Sequence, residues 1–223
     1  MLLLIRAYAI RSNGEINYLP YYQSYPQVFN QEYLSQLQGE ILACRYFALN
    51  NLNRDFVGTK GFSLVFQKEQ LPEVNKSFPY FKPYLEKAIM PQCNAFYLNP
   101  LLLVGGSRVD PHIDRSLRSY CENIDPPLCV SVLYVYVSED LQGGELTLRS
   151  TKRQVGLIEP KANTMVIFQG DLTHSVNPVT SPNSKRLSLV CEQYSLDELQ
   201  LREIPPFKIE SRAIKKERRP KRS

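Results

Sequence analysis

From residue 94 onward the sequence breaks into short apolar or alternating runs: AFYLNPLLLV, VSVLYVYV, ELTLRS, QVGLIE, TMVIF, HSVNPV and RLSLVCEQY. Gly, Pro, Asn and Asp separate them. Runs of this length, rich in β-branched and aromatic residues and bounded by turn formers, predict strands. No helical segment lies between them to carry a parallel crossover, so they are expected to pair antiparallel. Their spacing is that of a sandwich or small barrel.

The preceding third has a different texture. Asn30 is placed to cap a helix, and Phe29, Tyr33, Leu34, Leu37, Ile41, Leu42, Cys44 and Ala48 recur at helical spacing, predicting a helix to about residue 49. GFSLVF at 61–66 reads as a strand, whereas SFPYFKPYLEKAIM, with Pro79 and Pro83, predicts a short or broken helix. A chain of 223 residues with 43% apolar content can fill one core. The expected division is 1–93 as helical and strand support packed on the core, 94–200 as the β core, and 201–223 as a basic, disordered tail.

Charge and cysteine usage narrow the function classes. The formal net charge is +5, but Lys208 to Arg222 holds eight basic residues and two Glu, leaving 19 basic and 20 acidic residues before it. The body is thus close to neutral, which argues against a nucleic-acid surface there. The tail alone offers a weak route to phosphate contacts, and a solvated terminus is the preferred reading. The opening MLLLIRAYAI meets Arg6 after five apolar residues, and no run reaches the roughly 20 needed to span a bilayer. No membrane partner is expected. Cys44, Cys93, Cys121, Cys129 and Cys191 are scattered without a CxxC pair, so neither a disulfide framework nor a cysteine zinc site is expected, and the cytoplasm is the expected location.

The chain has only two histidines, His112 in DPHIDRS and His174 in GDLTHSVNPV, and both fall in the strand-rich half. In extended backbone, residues i and i+2 project to the same face, so His112 and Asp114 can converge while His174 approaches from a later strand. Two imidazoles and one carboxylate with open opposite positions suit a non-haem iron(II) oxygenase, whereas a zinc site would tend to be tetrahedral and closed. Twelve residues beyond His174, SKRLSLV places Arg186 and Ser188 on one strand face. A planar guanidinium beside a hydroxyl is suited to forked hydrogen bonding of a dicarboxylic acid's distal carboxylate.

From about residue 94 to 196 the chain resembles the iron(II)- and 2-oxoglutarate-dependent oxygenases, in particular the prolyl 4-hydroxylase-like branch. The resemblance rests on HxD as His112-Ile113-Asp114, the distal His174, Arg186, and the intervening VSVLYVYVSEDLQGGELTL and IEPKANTMVIFQGDLTHSVNPVT. It implies a mainly β fold with flanking helices: a double-stranded β-helix, or cupin-like jelly-roll, core with N-terminal helical support. It implies His112, Asp114 and His174 as ligands of Fe(II), 2-oxoglutarate as cosubstrate, O2 as oxidant and ascorbate as a candidate reductant. The implied reaction hydroxylates a substrate C–H bond and releases succinate and CO2.

In the family pattern a tyrosine on the strand after HxD reaches the cosubstrate, which points to Tyr136, with Tyr134 as the same-face alternative. Gly143 and Gly144 read as a turn. The chain departs from the pattern at Leu102, about ten residues before HxD, where many members have tyrosine. The branch suggests peptidyl-proline as the substrate. The alternatives are a free amino acid, a small metabolite or a methylated nucleic acid, and, outside enzymes, an iron or 2-oxoglutarate sensor module. Arg115, Arg118, Lys152 and Arg153 are candidates for a charged rim at the mouth.

Overall fold

The computed structural model describes residues 20–49 and 55–214, so the opening MLLLIRAYAI and the closing KKERRPKRS lie outside the described residues. The chain runs through β1 (Tyr22–Pro26), α1 (Gln31–Ala43), β2 (Ala48–Leu49), β3 (Phe56–Val57), β4 (Lys60–Gly61), β5 (Ser63–Gln67), α2 (Leu71–Ser77) and α3 (Lys82–Ala88). Then come β6 (Ala95–Val104), β7 (Arg108–His112), β8 (Cys129–Val137), β9 (Leu146–Ser150), β10 (Arg153–Ile158), β11 (Thr164–Gln169), β12 (Thr173–Val176) and β13 (Lys185–Tyr194). The described chain closes with α4 (Glu198–Glu203) and β14 (Phe207–Glu210).

Two antiparallel sheets face each other in a jelly roll. The larger has the order β1-β11-β8-β13-β6-β4-β2, with β5 also on β6 and β14 on β5; the smaller is β10-β9-β12-β7-β3. Between them lies an apolar interior built from Leu101, Leu103, Val130, Val132, Tyr134, Val166 and Phe168 of one sheet and Val109, Leu146, Leu148, Ile158 and Val176 of the other. The opposite face of the large sheet is buried as well. Phe96, Leu98, Leu133, Val135, Ile167, Leu187 and Leu189 pack there against Leu34, Leu37 and Ile41 of α1 and against Phe78, Phe81 and Leu85. Burial on both faces explains why β8, interrupted only by Ser131, reads as an apolar run rather than an alternation. All five cysteines are free. Among the described residues, no helix is long and apolar enough to cross a membrane.

The strands foreseen after residue 94 form, and they pair antiparallel throughout. Pro100 survives inside β6 because β5 pairs with residues 95–98 and β4 with residues 101 and 102, so the ladder lapses where proline has no N–H to give. Asn30 caps α1, accepting from Tyr33 N at 2.8 Å. The helix ends at Ala43, short of the expected residue 49, because Cys44 turns extended and Ala48–Leu49 pairs with β4. The proline-broken segment is two short helices joined by a 3₁₀ turn at Pro79–Phe81.

The expected tail boundary at residue 201 is not where order ends. Asp197 caps α4 with a reciprocal capping box, and β14 pairs with β5, placing Ile209 opposite Leu64. In the sequence, the basic residues of this segment mask the alternating apolar positions of FKIE.

Asn163 joins the support to the barrel. Its side chain accepts from Phe29 N at 2.9 Å and donates to Phe29 O at 2.7 Å, while its backbone sits at φ +61°. Asn163→Ala is expected to destabilise the fold by about 2–4 kcal/mol, from two lost hydrogen bonds and left-handed strain. Asn163→Gly should cost about 1 kcal/mol less, because the strain is absent. Chemical denaturation of both variants checks the order.

Candidate metal centre

β7 and β12 are neighbours in the small sheet, and their register sets His174 directly opposite His112. The two ring centroids lie 4.4 Å apart. Asp114 follows β7 by two residues and turns inward, while the intervening Ile113 is exposed, so the alternation expected of extended chain holds past the strand end. Asp114 Oδ1 is 3.2 Å from His112 Nε2, and Oδ2 is 3.3 Å from His174 Nε2. Among the described residues, these three form the one such group of potential metal ligands.

Each imidazole is oriented by the chain just before it. His112 Nδ1 lies 2.8 Å from Asp110 O and His174 Nδ1 lies 3.2 Å from Leu172 O. A carbonyl can only accept, so both Nδ1 atoms donate and both Nε2 atoms face Asp114, the second-sphere arrangement typical of metal-binding histidines. Phe56 stacks edge-on against His112, and Phe168 against His174, at 5.3 and 5.0 Å between centroids. Neither phenylalanine was foreseen; Phe56 sits on a two-residue strand with no periodic signal.

His112 Nε2 and Asp114 Oδ2 are buried with no hydrogen-bond partner. Two imidazole nitrogens and a carboxylate therefore converge on a point where one shared cation would satisfy all of them. A divalent metal with N and O preference fits this donor set. Burial alone would lower the pKa of His112, but the Asp114 carboxylate beside it overcomes this and raises it to about 9. Burial would raise that of Asp114, yet the imidazoles of His174 and His112 beside it hold it well below the usual carboxylate range.

A cleft of about 550 Å³, counted to its open mouth, extends from this centre between the sheets. β13 lines it with Arg186, Val190 and Glu192, while β6 adds Tyr97, Asn99 and Leu101. Arg186 is buried at one end. One Nη donates to Gly144 O, the other to Ser188 Oγ at 3.3 Å, and the guanidinium lies 4.9 Å from the ring centre of Tyr134. Arg186 Nε and Tyr134 OH have no hydrogen-bond partner. Two unpaired buried donors beside a fixed positive charge form a receptor for a carboxylate.

Tyr136 is not part of it. A bulge in the β8–β13 pairing between Leu187 and Ser188 breaks the i, i+2 rule, turning Tyr136 onto the helix-side core, where Lys185 lies 5.6 Å from its ring. Tyr134, the alternative, is the tyrosine beside Arg186. Leu102 also belongs to the helix-side core, so the departure from the family pattern there leaves no gap in the cleft wall. Gly143 and Gly144 have φ of +78° and +76°, and a Cβ on Gly143 would lie 1.9 Å from Pro178 O. Besides turning the chain, the pair delivers the carbonyl that holds Arg186. Arg115, Arg118, Lys152 and Arg153 are all exposed, and none lines the cleft.

Residues 98–191 match the family model of the 2OG-Fe(II) oxygenase superfamily. No curated protein matches the sequence. Among solved structures, a Pseudomonas putida prolyl-4-hydroxylase is 17% identical with a TM-score of 0.54, covering 80% of this chain and 94% of that one. A Trichoplax adhaerens prolyl hydroxylase, solved with a peptide fragment of the hypoxia inducible factor oxygen degradation domain, is 14% identical at TM-score 0.53, covering 82% and 85%. An oxidoreductase of the 2OG-Fe(II) oxygenase family from Burkholderia pseudomallei is 12% identical at TM-score 0.52, covering 79% and 86%. These likenesses establish the jelly-roll fold.

Because Asp114 holds a proton on His112 up to about pH 9, a divalent ion must displace that proton to bind. Manganese(II) affinity is therefore expected to rise with pH between 6.5 and 9, by up to about tenfold per unit, and to level off above. Calorimetric titration across that range checks it. His112→Ala should lose most of the affinity and the slope with it.

Proposed function

We propose that this protein, whose residues 98–191 match the family model of the 2OG-Fe(II) oxygenase superfamily, is a hydroxylase in which His112, Asp114 and His174 hold iron(II) and Arg186 anchors 2-oxoglutarate. Fe(II), 2-oxoglutarate and O2 are the cofactor set that the family implies. The observation that carries the residue assignment is the set of unpaired buried atoms: His112 Nε2 and Asp114 Oδ2 at one point, Arg186 Nε and Tyr134 OH at another. Each set lacks the partner that a metal ion and a carboxylate, respectively, would supply.

Bound iron(II), with 2-oxoglutarate and O2, supplies oxidative decarboxylation to succinate and CO2 coupled to hydroxylation of a C–H bond. The protein's own part is geometric and electrostatic. Asp110 O and Leu172 O fix the imidazole rings, and Asp114 contributes the anionic ligand. Arg186, held by Gly144 O and Ser188 Oγ, would offer Nε to the distal carboxylate of 2-oxoglutarate, and Tyr134 OH would be a second donor to it. Val130, Val132, Phe168 and Val190 keep the cleft wall dry, which strengthens each of these contacts.

Candidate substrates are proline peptides, suggested by the fold's likeness to prolyl hydroxylases, together with free amino acids and small metabolites. Succinate formation across these classes, with iron(II) and 2-oxoglutarate, is the test of the reaction. His174→Ala and Asp114→Ala should form no succinate. Arg186→Lys keeps the charge but loses the fork, so KM for 2-oxoglutarate should rise about 10- to 100-fold. A parent rate in either ligand variant, or an unchanged KM in the Lys variant, would refute the assignment.

A further inference from the structure

The cleft has two polar ends, and 2-oxoglutarate accounts for only one. On β13 the inward positions are Arg186, Ser188, Val190 and Glu192, paired across to Leu103, Leu101, Asn99 and Tyr97 on β6. At about 3.3 Å per residue, Arg186 and Glu192 are separated by about 20 Å along the strand, roughly three times the length of a five-carbon diacid. A cosubstrate anchored at Arg186 cannot reach Glu192. The metal centre lies toward the Glu192 end, since Ser116, two residues past Asp114, contacts Glu192 directly. The Glu192 half is therefore left for the second substrate.

Glu192 is 3% exposed, yet it lines this cleft among Val130, Val190 and Phe168. One carboxyl oxygen accepts from Ser116 Oγ at 2.5 Å; the other accepts from Ser116 N at 3.1 Å and from Tyr194 OH. All three donors are neutral. An ionised carboxylate offers about four lone-pair sites, so three contacts leave one unfilled. Every hydrogen bond to this carboxyl comes from a neutral donor, and the cleft that it lines is the side from which a cationic group can reach it.

We propose that Glu192 is the specificity-determining residue of the substrate half, and that it selects a small aliphatic substrate carrying a free ammonium group over a peptide-bonded one. The ammonium donates to the unfilled carboxylate site, making a charge-assisted hydrogen bond inside an apolar wall. Asn99, whose amide nitrogen donates to Phe62 O at 2.8 Å and Ser63 Oγ at 3.0 Å, borders the same half. Ser116 and Tyr194 hold the carboxyl in place. The inference rests on the Arg186 end being filled by 2-oxoglutarate.

The test uses the full chain loaded anaerobically with iron(II) and 2-oxoglutarate, the complex being verified by its visible charge-transfer absorption. L-prolinamide, L-leucinamide and L-lysine are each titrated calorimetrically beside their fully N-acetylated forms. At least one free amine is expected to bind tenfold or more tightly than its acetylated partner, and Glu192→Gln, which keeps shape and one acceptor oxygen, should reduce that preference at least tenfold. If the variant does not fold, the comparison in the unmodified protein decides alone. Acetylated forms binding equally or better, no amine binding while the complex is present, or an unchanged preference in a folded Glu192→Gln overturns this inference only. Failure of the unmodified protein to form the complex overturns the oxygenase proposal, and this one with it.

Discussion

The antiparallel pairing of β7 with β12, which sets His112 opposite His174, is the constraint on which the site depends. A shift of one residue would send one imidazole to the outer face, because side chains alternate. The pairing is held from both sides: β3 pairs with β7, and β9 pairs with β12, so neither central strand can slide without dragging its neighbour. Each ring is also tied to a carbonyl two residues earlier in its own strand segment. The backbone that forms the sheet is thus the same backbone that aims the Nε2 atoms.

Around that pairing, the interior tolerates an unusual amount of buried charge. Asp114, Arg186 and Glu192 are all nearly inaccessible within a jelly roll otherwise filled by Val, Leu and Phe. Each is held by specific groups. Asp114 faces two imidazoles, Arg186 leans on Gly144 O, Ser188 Oγ and the Tyr134 ring, and Glu192 is gripped by Ser116 and Tyr194. The capacity left over after those contacts defines the chemistry proposed for the cleft. It wants a cation at the triad, a carboxylate at Arg186 and an ammonium at Glu192. The unpaired buried atoms at the triad and at Arg186 cost stability and persist where a ligand satisfies them.

The helical layer has a quieter role. It buries the outer face of the large sheet, and polar contacts pin it there: Tyr84 OH with Ser131 Oγ at 2.8 Å, and Gln193 bridging Ala88 O and Met90 N, each at 2.8 Å. Because Gln193 and Glu192 are adjacent on β13 and face opposite ways, one strand carries both the anchor of the support and a wall of the cleft. The support and the site are therefore fixed together.

Much of this was legible in the residues themselves. Apolar runs of strand length, punctuated by turn formers, determined the β core and its antiparallel pairing. Two histidines with a neighbouring aspartate, followed by an arginine with a serine two residues on, determined the candidate centre, because alternation along extended chain is a local rule. Where the local rule met a tertiary one, it lost. The bulge opposite Leu187 and Ser188 turned Tyr136 away and left Tyr134 beside Arg186. Pairing with β4 ended α1 early, and pairing with β5 drew residues 207–210 out of the supposed tail. Glu192 shares the parity of Arg186 and Ser188, so its inward direction was readable. That it meets Ser116, and through it the segment after Asp114, was not, because 76 residues of chain separate the two and only the closure of the barrel brings them into contact.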